Sequence, residues 1–209
     1  DRLTAEEKKK IERQSVIISL LSSTSQTRHS EIGGVGEDIG SFDITNKQRE
    51  SIVAEIIHTE TSYVAGLTEI VKNVIEPLRR QQLVPESTLA KIFANLESIT
   101  DFHRILEAEL QERFNTWDNE KVIADVFLKL TPFLKLYIQY INNYDTSRST
   151  LQRQLLRNAS FKQFIEKCRP TTTPGILTGS VYLSSVLITP VQRIPRYLLL
   201  LDQLGRHTP

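Results

Sequence analysis

No methionine occurs anywhere in the 209 residues, and cysteine and tryptophan occur once each. The lone cysteine, Cys168, cannot close an intramolecular disulfide, so the chain must be held by its core, as expected in a reducing compartment. No histidine lies near Cys168 in sequence to activate it, and it reads as a small hydrophobe close to a helix end. With no methionine even at position 1, the chain is expected to be a fragment. Signal-peptide and transmembrane patterns are missing as well, which predicts a cytoplasmic protein with no membrane segment of its own. Nor is there an excess of either charge: 26 Lys and Arg stand against 25 Asp and Glu, a net +1. Such a balance gives no case for nucleic acid, and no basic run points to an anionic membrane surface. Paired carboxylates, metal-ligand clusters and nucleophile triads are not seen, so no cofactor, metal or active site is expected.

What is present is helical periodicity. Strand-like alternation never lasts more than a few residues, which predicts an all-α bundle with one core. Thr4-Ala-Glu-Glu7 is a capping box opening a first helix that reaches Ile17, Ile18, Leu20 and Leu21. Residues 22–42 follow as a Ser-, Thr- and Gly-rich linker. Its Gly33, Gly34 and Gly36 lack the spacing and the Lys-Ser/Thr ending of a phosphate-binding loop. A second capping box, Thr45-Asn-Lys-Gln48, predicts the start of a long helix of about nine turns at 3.6 residues each. Ile52, Ile56, Tyr63, Leu67, Ile70, Val74 and Leu78 form its buried face. Glu55, Thr59 and Ser62 run along its other side.

Pro85 and Ser87 introduce a helix carrying Leu89, Ile92, Phe93, Leu96, Ile99, Phe102, Leu106 and Leu110, with His103 at the edge of its apolar face. A lone histidine there reads as a hydrogen-bonded core residue. Next comes an aromatic-rich helix through Phe127, Phe133, Tyr137, Tyr140 and Tyr144, bent at Pro132 and ended by a polar break at Asp145 to Ser149. Short helices at Leu151–Leu155 and Phe161–Cys168 and a Pro/Gly turn at 170–175 lead to VYLSSVLITPVQRIPRYLLLLDQLG, residues 181–205. Leu183, Leu187, Val191, Ile194, Leu198 and Leu201 mark this as one amphipathic helix despite Pro190 and Pro195. Ser185, Thr189, Gln192 and Arg196, with Arg193 beside them, form a polar stripe on it. Read alone, such a stripe belongs to a buried helix whose arginines reach solvent or a carboxylate.

The wording of these segments adds to the pattern. LITPVQRIPRYLLLL resembles the third conserved region of the Dbl-homology domain, the exchange module for Rho-family GTPases. IVAEIIHTETSYVAGLTEIV resembles its first, whose core of Glu, Thr-Glu and Tyr falls here on Glu55, Thr59, Glu60 and Tyr63. IFANLESITDFHRILEAEL and DVFLKLTPFLKLYIQYINNY are similar to its helices between. The resemblance covers about residues 46–209 and implies an elongated helical bundle, with an N-terminal helical extension over 1–42 and a Dbl-homology domain over 43–209. It also implies a C-terminal truncation after Pro209, where the family continues into one more helix and a lipid-binding pleckstrin-homology domain. By the same resemblance Glu55, Thr59, Ser62, Ser185, Thr189, Gln192, Arg193 and Arg196 would meet a Rho-family small GTPase, with Glu55 on its first switch. Recruitment to membrane or actin-rich sites would follow. Thr189 departs from the lysine many members carry, which removes a charge from that interface. Two roles remain open for residues 1–42, an inhibitory arm or a stabilising one. The rival to exchange is a Dbl-like scaffold that binds a partner without releasing nucleotide.

Overall fold

The computed structural model describes residues 39–117, 122–171 and 177–208. Helix α1, Ile39–Ile70, is the spine. It begins before the capping box at Thr45, which therefore lies inside the helix and does not start it. The predicted first helix and most of the linker lie outside the described residues. At its far end α1 passes into a π-helical turn, Val71–Ile75, and a short α2, Glu76–Arg80. The cause is Pro77. It has no N–H for an i−4 carbonyl, and the widened turn, in which Glu76 N–H reaches Val71 O, keeps the rod continuous around it. Val74, Ile75 and Leu78 stay buried throughout.

The helix predicted to begin after Pro85 is two: α3, Glu86–Phe93, and α4, Leu96–Asn115. Between them Ala94 sits at φ 49, ψ −127, outside the ordinary range of a residue with a Cβ. This kink lets Leu89, Ile92 and Leu96 all face the core. Arg79 spans the corner, with its guanidinium shared between Glu86 and Glu97.

The aromatic segment forms α5, Ala124–Leu130, a 3₁₀ turn at Thr131–Leu134 containing Pro132, and α6, Lys135–Arg157. The polar break predicted at Asp145 to Ser149 does not occur. Ser147 and Thr150 are buried in unbroken helix, and Ser147 donates its hydroxyl to Ile92 O of α3 while the Asn143 amide donates to Lys91 O at 2.8 Å. These polar residues bind the neighbouring helix's end instead of turning the chain. Helix α7, Ala159–Lys167, starts at Asn158, whose Oδ1 accepts from Phe161 N at 3.0 Å.

The single kinked helix expected over 181–205 is likewise two, α8, Gly179–Leu187, and α9, Thr189–Arg206. Pro190 lies in the first turn of α9, where an N–H would have no partner within that helix, and only Pro195 is internal. The break also shifts the phase of the buried face. Tyr197 and Leu200 are buried, whereas the predicted Leu198 and Leu201 are half-buried. Among the described residues there is no strand, and no helix is long and apolar enough to cross a membrane. One cluster of buried side chains runs the length of the bundle, from Ile52 on α1 through the π turn to Leu78 on α2, and onto α3, α4, α5, α6, α7, α8 and α9.

Ala94→Gly should raise stability by about 1 kcal/mol, since glycine adopts the observed φ without strain. Urea unfolding checks this, and a loss of stability would show that the methyl's packing outweighs the strain.

Candidate functional site

Where α1 crosses α9, a shallow groove of about 350 Å³ opens to solvent. Thr59, Ser62, Thr189, Gln192, Arg193 and Arg196 line it together with His58 and Tyr63. The two polar stripes, more than a hundred residues apart in sequence, thus meet. Glu55 is exposed on α1 one turn before Thr59, outside the groove lining but on the same line of the helix. Ser185 lies on α8, before the break, and does not line the groove; its hydroxyl donates to Tyr182 O at 2.7 Å.

The break between α8 and α9 shapes one wall. Pro190 has no N–H to give Val186 O, and the Thr189 hydroxyl donates to that carbonyl instead, at 2.7 Å. The next carbonyl, Leu187 O, accepts from Tyr140 of α6 at 2.8 Å. Side chains therefore satisfy what the proline leaves open.

Arg193 requires a correction. It was expected on the exposed stripe, yet it is only 3% exposed. Its Nη2 donates to Glu60 Oε2 at 2.5 Å and its Nη1 to Thr59 Oγ1 at 3.2 Å. The guanidinium lies 4.3 Å from the Tyr197 ring centroid and 5.2 Å from that of Tyr63. The reason is registry on α9, where Pro190, Arg193, Tyr197 and Leu200 follow the three-four-three spacing of a buried face. Thr59 is also buried, at 8% exposure, and donates to Ile56 O.

Sequence reasoning gave Glu60 no role in the core, and it is the centre of the arrangement. Fully buried, it accepts from Arg193 and Tyr197 on Oε2 and from His103 on Oε1, the last at 2.5 Å. The other His103 nitrogen, Nε2, is 2.5 Å from the Tyr137 hydroxyl, which is 3.1 Å from that of Tyr63. His103 bridges Glu60 through Nδ1 and Tyr137 through Nε2. The reading of His103 as a hydrogen-bonded core residue thus agrees with its place. A usable signal for Glu60 existed: the buried face steps from Ile56 to Tyr63, and the position four on from Ile56 and three before Tyr63 is this glutamate.

Burial pushes the Glu60 carboxyl upward. The His103 hydrogen bond, the positive field of that ring and of Arg193, and the Tyr197 hydroxyl outweigh it and hold the group below its usual range. Burial foremost keeps the Tyr63, Tyr137 and Tyr197 hydroxyls well above theirs, so they remain donors.

Among the described residues no group of His, Cys, Asp and Glu is placed to hold a metal ion. The groove offers hydroxyls, an amide, an imidazole and the exposed Arg196, which are means of recognising a protein surface. The fold is an all-helical bundle with a polar groove open to solvent between α1 and α9. The chain belongs to the RhoGEF domain family, whose sequence model matches residues 52–209. Human FYVE, RhoGEF and PH domain-containing protein 2 is 32% identical over 170 residues, covering 79% of this chain and 25% of that protein. The chain thus spans about a quarter of the length of that curated relative. Among solved structures, the Vav1 exchange factor superposes with a TM-score of 0.70 at 24% identity, over 78% of this chain and 43% of that one. The DH/PH domain of human ARHGEF11, in a ternary complex with human RhoA and its inhibitor, gives 0.70 at 19% identity, covering 79% and 47%.

The pairing of Glu60 generates a pH expectation. Because its pKa is depressed in the folded state, its contribution to stability is full above the ordinary carboxylate value of 4.5 and is lost as pH falls below it. Glu60→Gln should flatten the acid limb of a stability-versus-pH curve, while lowering stability at neutral pH by about 3–5 kcal/mol because Arg193 is left buried without its counter-charge. Chemical denaturation at a series of pH values reads both effects, and a parental acid slope in the variant would contradict the assignment.

Proposed function

We propose that this domain is a guanine nucleotide exchange factor, which speeds GDP release from a Rho-family small GTPase by binding its switch regions in a displaced form. The observation that carries the reading is the meeting of the α1 and α9 stripes in one groove, with Glu55 exposed a turn away. Membership of the RhoGEF domain family supports it, and the RhoA bound to a structural neighbour indicates the class of partner. In this scheme Glu55 meets the first switch, and Gln192 and Arg196 meet the second alongside the hydroxyl groups of the groove. No bond of the nucleotide is made or broken. The factor binds best to the empty GTPase, and by linkage incoming nucleotide expels it.

The rival, a bundle that binds without exchange, is weakened by the exposed Glu55. Residues 1–38 lie outside the described residues. The extension over 1–42 is proposed as an inhibitory arm, whose deletion should speed nucleotide release; equal release with a lower melting temperature would make it packing alone. A lipid-binding domain beyond Pro209 would supply recruitment to membrane or actin-rich sites.

Glu55→Ala should lower the rate of fluorescent-GDP release by about tenfold or more, as for loss of a charged interfacial contact. Its melting temperature should barely move, because exposed helical substitutions change stability by about 0.5 kcal/mol or less. Parental release rates across a panel of Rho-family GTPases would remove Glu55 from the mechanism. Arg196→Glu, also exposed, should weaken binding to nucleotide-free GTPase with the fold intact. A lower melting temperature with binding preserved would instead make Arg196 an internal ion-pair partner.

A further inference from the structure

Arg193 belongs to the groove by position but not by access. Its partners Thr59, Glu60 and Tyr63 all lie on α1, while its own helix carries Thr189, Gln192 and Arg196 as the opposite wall. A side chain that leaves one wall and ends buried in the other acts as a strut. Its planar fork bonds Thr59 and Glu60 at once, which fixes the rotation of α9 as well as its distance. Glu60 cannot follow if α9 moves, because its second oxygen is held by His103 of α4, backed in turn by Tyr137 of α6.

We propose that Arg193, through its ion pair with Glu60, is a positioning residue: without touching the GTPase, it sets the spacing and rotation of α9 against α1 that present Gln192 and Arg196 opposite Glu55. The proposal rests on the exchange reading above and deepens it. It assigns to the core of the groove a role different from direct contact, and it accounts for an arginine in a recognition groove that solvent does not reach.

The test uses the full 209-residue chain and the variants Glu60→Gln, Arg193→Gln, the double Glu60→Gln/Arg193→Gln, and Arg193→Lys. Melting temperature and fluorescent-GDP release are measured on the Rho-family GTPase with which the parent is most active. Each single Gln variant should melt earlier and release nucleotide about tenfold more slowly or worse. The double variant leaves no unpaired buried charge, so its melting temperature should return toward the parent's. Its release should nonetheless stay as slow as that of the worse single variant, because glutamine is too short to span the walls. Arg193→Lys, which keeps the charge but not the fork, should fall between. Recovery of both melting temperature and release in the double variant would reduce the pair to stability alone. Release slowed by the product of the two single effects would make Arg193 an independent contact and also overturn the proposal. If the parent releases nucleotide from no GTPase, the exchange reading fails by itself. Positioning is then decided without a GTPase, by the amide resonances of Thr189, Gln192 and Arg196 in the double variant: displacement upholds it, and parental positions overturn it.

Discussion

Glu60 and Arg193 meet with both side chains out of water, the glutamate at 0% and the arginine at 3% exposure. Removing two charges from solvent costs several kcal/mol each, and their attraction offsets this only where geometry is good and the remaining hydrogen-bonding capacity is used. The geometry is close and most of that capacity is used, although Arg193 Nε is left without a hydrogen-bond partner. Each carboxylate oxygen has a donor, Oε2 from Arg193 and Tyr197 and Oε1 from His103, and the guanidinium lies against two aromatic rings. The chain extends through Tyr137 to Tyr63, so a single network ties α1, α4, α6 and α9. The leucine and isoleucine faces around it supply most of the burial but tolerate sliding and small rotations, because dispersion and hydration are not directional. A hydrogen-bonded network is satisfied in one arrangement, and it therefore specifies the register.

The same economy of donors governs the backbone. Three prolines interrupt helices near the core, and each is met by a different local device. Pro77 follows a π turn, Pro132 falls in a 3₁₀ turn, and Pro190 opens a new helix whose preceding carbonyls are bonded by Thr189 and Tyr140. The last device bears on the site, since it is the break at Ile188 that rotates α9 relative to α8 and turns Arg193 inward.

The reach of the sequence follows from these details. The helical class, the long first rod with Ile52, Ile56, Leu67 and Ile70 inward, and the core place of His103 were legible because apolar period and residue chemistry agree there. The meeting of residues near 59 with residues near 192 was legible only through resemblance, since nothing local in either helix names the other. The misses have separable reasons. Starts set by capping boxes failed at Thr45, because a favourable cap is compatible with helix on both sides. The break expected at Asp145 to Ser149 failed because polarity was read as exposure, whereas Ser147 serves the end of α3. The division of 181–205 was missed because Pro190 was counted inside the apolar period. Arg193 was placed on the polar stripe and Glu60 was given no place in the core, although each stands at a position its helix buries. Two opposite charges on two buried faces are better read as a pair.

The groove's polarity carries a last consequence. The hydroxyls of Thr59 and Ser62 donate to carbonyls of α1, and that of Thr189 donates across the break to Val186 O of α8. Their protons are committed, and what they can offer a partner is lone pairs. Donors on this surface come instead from Gln192 and Arg196. A complementary protein surface must therefore bring donors to the hydroxyls and to Glu55, and a carboxylate or carbonyl to Arg196. Hydroxyls bonded in this way are also fixed in rotation, so less side-chain entropy is lost when they are covered. For the proposed exchange function this rigidity is the useful property. A GTPase whose switches have left the nucleotide presents new backbone and side-chain groups, and only a surface that does not relax around the nucleotide-bound form can favour the empty one. In the proposed scheme, that difference in affinity would depend on the walls of the groove staying where the buried pair holds them.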